Sequence, residues 1–151
     1  MTYDSRADTL LHSQRVGELI VAVVTGLLAR SHCHDRSKTE PPEVEVFNEL
    51  TPKLKDLVYG TDEYRNCLLA MGEGLRHHYA SNRHHPEHFA DGVSGMTLID
   101  VVEMLADWKA ATERVKDGDL RKSLAIQAGR FGLSDQLYAI LENTALALDW
   151  L

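Results

Sequence analysis

The chain has few of the features that cross-link or anchor small proteins. Only two of its 151 residues are cysteines, Cys33 and Cys67, and they form neither a disulfide framework nor a C-x-x-C pair. This usage indicates a reducing compartment. A chain of this length buries roughly two thirds of its unfolded surface. It therefore needs no disulfide or structural metal simply to fold.

Basic charge is also scarce. There are 16 lysines and arginines against 23 acidic residues, so the net charge is −7 and the pI lies near 5.5. A protein that binds a nucleic-acid backbone needs a basic face, and this balance argues against one. It does not argue against a small phosphorylated ligand held by a few local cations.

No targeting or membrane segment is predicted. The N-terminus, MTYDSRADTL, is polar and unlike a signal peptide. The most apolar run, LIVAVVTGLLA at residues 19–29, is too short to span a bilayer. We therefore expect a soluble protein in the cytoplasm, with no membrane partner.

The pattern contains no convincing strand pair, repeat or low-complexity linker, and predicts an all-α bundle of six to seven helices in one domain, residues 1–151. Apolar residues recur at helical spacing along residues 5–30. The predicted later helices run from Pro41 to about Leu50, from Thr51 and Pro52, from Asp62 to about Asn82, from Thr97 to Gly118, over 119–130 and over 135–149.

Five of the eight histidines lie within fourteen positions, in RHHYASNRHHPEHF at residues 76–89. Four clusters of potential metal ligands follow one another along the chain, separated by apolar helices. They are His12, then His34 and Asp35, then His77, His78, His84 and His85, and finally Asp100, Glu103 and Asp107. Imidazole and carboxylate together suit Mn, Fe, Zn, Co and Ni, and the sequence does not distinguish among these metals.

Each cluster also has a simpler interpretation. His12 shares a helical face with apolar residues, as a hydrogen-bonded core histidine would. His34 and Asp35 could be a capping pair beside a helix break. Asp100, Glu103 and Asp107 fall at i, i+3 and i+7, a stripe that is usually solvated. The histidine-rich loop could chelate metal adventitiously.

The order of these clusters resembles the HD-domain superfamily of metal-dependent phosphohydrolases. HSQRVGEL resembles its first-histidine helix, HDRSK its His-Asp doublet, and EMLADWKAA its terminal aspartate helix, with Asp107 as the matching carboxylate. RHHPEHFADG resembles the His-His-Glu loop of members with two or three metals, but the Gly-Tyr-Pro of the HD-GYP phosphodiesterases is absent. Hydrolysis of cyclic dinucleotides is therefore not implied.

A second resemblance covers most of the chain. HDRSK, HHYASNRHHPEHF, EMLADWKAA and SDQLYAILENTA are similar to motifs of a family of small uncharacterised proteins common in tailed phages and bacteria. If the chain is phage-encoded, its compartment would be the host cytoplasm. This resemblance implies no particular activity.

The HD resemblance implies a site with one or two divalent ions. His12, His34, Asp35 and Asp107 would hold one ion, and Asp35 would bridge to a second held by His78 and His85. His84 competes with His85 for this role, and His77 competes with His78. Four further residues are expected at the same site: Lys38 and Arg83 as phosphate-binding cations, Asn82 as another substrate-binding residue, and Glu103 as a residue that orients a ligand or water. The expected catalytic residues are Asp35, Lys38 and Glu103.

We therefore expect a hydrolase that uses metal-activated water on a nucleotide or another small phosphate ester. Two other classes stay open. One is a di-iron oxygenase that uses the same ligands. The other is a non-enzymatic module that binds a metal, a nucleotide or a host protein. The sequence leaves the substrate, the role of Asp100 and any homo-oligomer open.

Overall fold

The structure is a computed structural model that describes residues 4–57, 61–114 and 117–151. It confirms the predicted all-α fold, because every regular element in these ranges is a helix or a 3₁₀ turn. The chain divides into two units, the first ending at Cys33 and the second running from His34 to Leu151. Each is described separately, and their folding as one domain stays a prediction.

The first unit is a single helix, α1, from Arg6 to Cys33, close to the predicted residues 5–30. None of its residues is buried, and its exposed side chains include Leu19, Ile20 and Val23. By length and composition, Arg6–Thr39 is apolar enough to cross a membrane, although the uncharged run at residues 19–29 alone is not. Core helices and signal sequences meet the same criterion, so this observation is weak evidence for a membrane span.

The second unit contains six α-helices and three 3₁₀ turns in its described residues. The helices are α2 (Glu43–Lys55), α3 (Asp62–Ala70), α4 (Gly72–Ser81), α5 (Leu98–Thr112), α6 (Leu120–Phe131) and α7 (Asp135–Ala147). The 3₁₀ turns are Arg36–Thr39, Pro86–His88 and Gly92–Gly95.

Three predicted helix boundaries were wrong. The helix that starts near residue 43 does not end at Leu50 but continues through Pro52, whose fixed φ is compatible with a helix although one backbone donor is lost. The predicted helix over residues 62–82 is instead two helices, α3 and α4. They meet at Gly72, which has φ +49°, a left-handed conformation that glycine adopts at little cost.

The third helix boundary to differ is at the end of α5, which stops at Thr112 rather than at Gly118. Its start is as predicted: Thr97 caps the helix, and the side chain of Asp100 accepts a hydrogen bond from the Thr97 backbone N–H in return. Ser134 caps α7 in the same way through the N–H of Leu137.

The apolar core of the second unit lies among α5, α6 and α7. Trp108 on α5 stacks on Phe131 at the end of α6, with the two rings nearly parallel. The buried residues of this core are Val101, Met104, Leu105, Trp108, Leu120, Leu124, Leu141 and Ala145. Because one face of α5 is committed to this core, its polar stripe at Asp100, Glu103 and Asp107 is held at a fixed orientation beside it.

Candidate metal centre

Asp35 lies at the centre of the site. It precedes the 3₁₀ turn Arg36–Thr39 and has φ 55°, ψ 15°, a left-handed conformation that is uncommon for a residue other than glycine. Its two carboxylate oxygens face different neighbours. Oδ1 lies 3.4 Å from His78 Nε2 and 3.5 Å from His84 Nε2. Oδ2 lies 2.6 Å from Lys38 Nζ and 3.7 Å from His34 Nε2.

Within residues 4–57, 61–114 and 117–151, two overlapping sets of side chains could hold a metal ion. In each set, one nitrogen or oxygen per residue lies within 4.8 Å of the others. We call Asp35, His78, His84 and His85 the histidine-rich group. We call His34, Asp35, His84 and Asp107 the mixed group. Asp35 and His84 belong to both.

The two groups are assembled from four parts of the second unit. His34 and Asp35 immediately precede the first 3₁₀ turn, and His78 lies near the end of α4. His84 and His85 follow α4 in the loop to α5, whereas Asp107 lies on α5 itself. Residues separated by up to 73 positions therefore meet at one point.

Glu103 orients the two histidines that flank Asp107. Its Oε1 lies 3.0 Å from His34 Nδ1 and 3.2 Å from His84 Nδ1. A carboxylate only accepts hydrogen bonds, so the Nδ1 of each ring is the donor and Nε2 is left to face the centre. This is the arrangement expected for Glu103, since a metal-ligating histidine usually donates its second nitrogen to an oxygen.

Glu43 orients His78 as Glu103 orients His34 and His84. The sequence analysis did not identify Glu43 as a site residue. The Glu43 side chain is fully buried. Its Oε2 lies 2.9 Å from His78 Nδ1 and accepts a 3.0 Å hydrogen bond from Ser37 Oγ, and its Oε1 lies 2.7 Å from His77 Nδ1. At the start of α2, in PPEVE, Glu43 looks like an ordinary first-turn acid. No local signal marks its burial.

The same contacts separate His77 from His78. His78 is almost fully buried, whereas the His77 side chain is 46% exposed. Neither metal-binding group includes His77. Both His84 and His85, which the sequence left as alternatives, belong to the histidine-rich group.

Buried polar atoms at the centre lack hydrogen-bond partners. Among the described side chains, Asp35 Oδ1 and His84 Nε2 are buried and accept or donate no hydrogen bond, although they lie 3.5 Å apart. Nearby, His78 Nε2 and His85 Nε2 are only 2.8 Å apart. Unsatisfied buried acceptors are costly, and a cation placed among these atoms would satisfy Asp35 Oδ1 and His84 Nε2.

The electrostatics keep the buried donors in the state that binds metals. Burial, followed by the charges of His84 and His78, lowers the pKa of His85 to about 3. Burial also lowers the pKa of His78. Burial opposes ionisation of Asp35, but the charge and hydrogen bond of Lys38, together with the charges of His78 and His34, outweigh it and lower the pKa of this carboxyl. Near pH 7, these two imidazoles are therefore neutral and Asp35 is ionised.

The mixed group differs from the histidine-rich group in the protonation state of one of its histidines. Hydrogen bonds to Asp107 and Glu103 raise the pKa of His34 to about 10, so this ring carries a proton at pH 7 in the metal-free protein. Burial opposes ionisation of Asp107, but the hydrogen bond from His34 together with the charges of His84 and His34 keeps the pKa of this carboxyl below its usual value. A metal ion entering this group would displace that proton.

The remaining predicted site residues lie at various distances from the centre. Lys38 is linked to the centre through Asp35, because its Nζ lies 2.6 Å from Asp35 Oδ2. Asn82 is buried and donates hydrogen bonds to Ser37 Oγ and to the backbone oxygen of His78, at 2.7 and 2.8 Å. His12 lies on the exposed surface of α1, in the first unit. Its participation in the site stays a prediction.

Arg83, which the sequence proposed as a phosphate ligand, is engaged elsewhere. Its guanidinium forms two hydrogen bonds with Asp100, at 3.1 and 3.0 Å, and its plane lies over Phe89, 4.8 Å from the ring centroid. These contacts tie the loop that carries His84 and His85 to the start of α5. Arg83 therefore positions the loop, and its contact with a phosphate stays a prediction.

Comparison with known proteins yields one match. The family model described as "Family of unknown function (DUF5662)" matches residues 1–147. No curated protein matches the chain, and no solved structure matches it.

Proposed function

Because the chain belongs to DUF5662, a family of unknown function, we propose its function from the site itself: a metal-dependent hydrolase of a nucleotide or another small phosphate ester. One observation carries this proposal. Asp35 Oδ1 and His84 Nε2 are buried, lie 3.5 Å apart and have no hydrogen-bond partner in the described part of the chain, and further metal-ligand atoms lie within 4.8 Å of them.

The donors fit a divalent transition metal. The histidine-rich group offers three imidazole nitrogens and one carboxylate, and the mixed group offers two of each. Metals that accept nitrogen and oxygen together include Mn, Fe, Zn, Co and Ni. When bound, such an ion supplies Lewis acidity and a water that ionises near neutral pH.

The sharing of His84 limits how many ligands each ion receives. Its Nδ1 is committed to Glu103, so only Nε2 can bind a metal, and it can bind only one. A single ion would then have four protein ligands. With two ions, at least one would have only three, and its free positions would take water or substrate, as in other catalytic metal sites.

The charges near the centre favour an anionic substrate only after metal has bound. Asp35, Asp107, Glu103 and Glu43 bring four carboxylates together, with Lys38 as the nearby ammonium. Without metal, this environment repels phosphate. Two divalent ions would reverse the balance and leave a net positive charge, which supports a phosphate ester as the ligand.

The partly exposed side of the site is where substrate would approach. The side chains of His34, Lys38 and Asp107 are 31%, 31% and 24% exposed, whereas those of His78 and His84 are nearly inaccessible. Substrate would therefore meet the mixed group first. Lys38 lies on this side and is the cation best placed to contact a phosphate oxygen.

The order of the clusters, which resembles the HD-domain superfamily, also supports hydrolysis. The same donors suit iron as well, so a di-iron oxygenase is the second candidate. A binding module without turnover is the third.

A metal assay and an activity screen together test the proposal. Protein purified without chelator is analysed for metals, stripped, reloaded with Mn²⁺, Co²⁺ or Zn²⁺, and tested against nucleotides and p-nitrophenyl phosphate. We expect phosphate release that is lost in Asp35→Asn and retained in His32→Asn, which removes an exposed histidine outside both groups. Stoichiometric metal without turnover of any ester would favour the binding module, and oxygen consumption with bound iron would favour the oxygenase.

A further inference from the structure

We propose that Lys38 is a resident cation that occupies the place of the second metal ion, so that the two positions fill in a fixed order. The histidine-rich group would fill first, and the mixed group only after the Lys38 ammonium has left Asp35. This inference rests on the proposed metal site, and concerns how that site is loaded.

The two oxygens of Asp35 carry the argument, because each serves a different group. Oδ1 faces His78 and His84 and has no hydrogen-bond partner among the described residues. Oδ2 faces His34 and accepts a 2.6 Å hydrogen bond from Lys38 Nζ. An ion entering the histidine-rich group therefore meets a free oxygen. An ion entering the mixed group that binds Oδ2 has to displace an ammonium.

The local structure holds Lys38 in this position. The 3₁₀ turn places Lys38 three residues after Asp35, and the backbone N–H of Lys38 donates to the backbone oxygen of Asp35 at 2.9 Å. The ammonium also lies 5.0 Å from the centroid of the Phe47 ring, on α2. A cation over an aromatic face is stabilised, so the lysine gains more than one contact from this geometry.

The second carboxylate of the mixed group also has a close neighbour. Asp107 Oδ1 lies 3.5 Å from His34 Nε2. Both carboxylates of the mixed group therefore have a nitrogen within 3.5 Å, whereas the Asp35 oxygen that has no hydrogen-bond partner among the described residues faces the histidine-rich group. Since an ion gains most where ligand charge is uncompensated, the histidine-rich group should have the higher affinity.

Release of Lys38 would then link loading to substrate. An ammonium displaced from Asp35 remains tethered at the partly exposed edge of the site, within reach of an anion bound to the metals. The same side chain would thus keep the second position closed in the metal-free protein and contact phosphate in the fully loaded one.

A titration of metal-stripped protein with Co²⁺ alone tests this order of binding. Calorimetry and the visible absorption of the bound ion monitor each step. For the native chain we expect one tight ion and a second that binds at least tenfold more weakly. Lys38→Met keeps the aliphatic stem beside Phe47 but removes the charge. It should tighten the second step about tenfold or more and change the first less than threefold. Lys38→Arg, which keeps the cation, should behave like the native chain.

Two ligand variants assign the steps. His85→Asn affects only the histidine-rich group and should weaken the tight step, whereas Asp107→Asn affects only the mixed group and should remove the weak step. Thermal unfolding of each stripped variant shows that it is folded before titration. An unchanged second step in Lys38→Met, or a tight step lost in Asp107→Asn instead of His85→Asn, would overturn the proposal.

The outcome separates this inference from the proposed function. Ordered binding of two Co²⁺ ions without turnover of any phosphate ester would support the role of Lys38 and count against the hydrolase. Turnover of a phosphate ester, with the two ions binding at equal affinity both in the native chain and in Lys38→Met, would support the hydrolase and count against the role of Lys38. If the native chain binds no Co²⁺, both proposals fail.

Discussion

Replacement of Asp100 by asparagine should destabilise the second unit in a way that depends on pH. The Asp100 side chain is fully buried and accepts hydrogen bonds from Arg83, from the Thr97 backbone and from the Thr97 hydroxyl. Burial opposes its ionisation, but these bonds lower the pKa of the carboxyl to about 2 from its usual 3.8. Asparagine keeps the shape and loses the charge.

The lowered pKa sets the size and direction of the effect. The difference between a pKa of 3.8 in the unfolded chain and about 2 in the folded chain corresponds to a little over 2 kcal/mol of stability. Arg83 is 41% exposed, so solvent screens its charge and we expect about 1 to 2 kcal/mol. Because the pKa is lower in the folded than in the unfolded chain, this contribution is fully present above about pH 4. It is lost as the pH falls through about 2.

Urea unfolding measures the difference in the free energy of unfolding between the native chain and Asp100→Asn. Circular dichroism monitors unfolding at several pH values between 7 and 2.5. The variant should be less stable by about 1 to 2 kcal/mol at pH 7, and the gap should narrow below pH 4. Because asparagine does not titrate, other acidic groups affect both proteins and largely cancel. A gap that is absent at pH 7, or that stays constant to pH 2.5, would refute this account of Asp100.

Three further predictions follow from the same contacts. Glu103→Gln should weaken Co²⁺ binding about 10- to 100-fold in calorimetry, because a neutral amide orients His34 and His84 less well; an unchanged dissociation constant would contradict this. Gly74→Ala should lower the free energy of unfolding by about 1 to 3 kcal/mol, since the new Cβ would lie 2.9 Å from the Val46 Cβ. Adding Val46→Ala should recover part of that loss, and failure to do so would exclude this contact as the cause. Finally, Co²⁺ at about 100 times its dissociation constant should stabilise the native chain by about 2.7 kcal/mol, reversibly with chelator and not in Asp35→Asn.

The helical fold could be predicted from the sequence because its signals are local. The signals are the spacing of apolar residues and the capping residues Thr97 before α5 and Ser134 before α7. Each signal depends on residues within one or two helical turns. The errors came where local and tertiary preferences differ. Pro52 is a plausible helix start, but the structure keeps it inside α2. Gly72 resembles an ordinary helical glycine until its left-handed conformation separates α3 from α4.

The candidate site could be predicted in part because its residue types are unusual. The adjacent histidines and the His-Asp doublet pointed to five members of the two metal-binding groups, and the resemblance of EMLADWKAA to a terminal aspartate helix pointed to the sixth, Asp107. How those members divide between the groups was not predictable. The sharing of His84 depends on which ring nitrogen Glu103 occupies, and the two roles of Asp35 depend on its left-handed backbone.

Glu43 and Arg83 show what sequence alone cannot provide. Glu43 is a common residue at a common position, and it reaches the candidate site only because α2 packs against α4 and brings the carboxylate to His77 and His78. Arg83 looks like a phosphate ligand because it lies between Asn82 and His84. Its pairing with Asp100, seventeen residues away, appears only in three dimensions.

Anomalous X-ray diffraction from crystals of the Co²⁺-loaded protein tests the central claim most directly. The account predicts a strong anomalous peak at roughly 2.0 to 2.3 Å from both Asp35 Oδ1 and His84 Nε2, with His78 or His85 completing the ligands. An empty centre in a loaded crystal, or cobalt bound only at histidines outside the two groups, would contradict it.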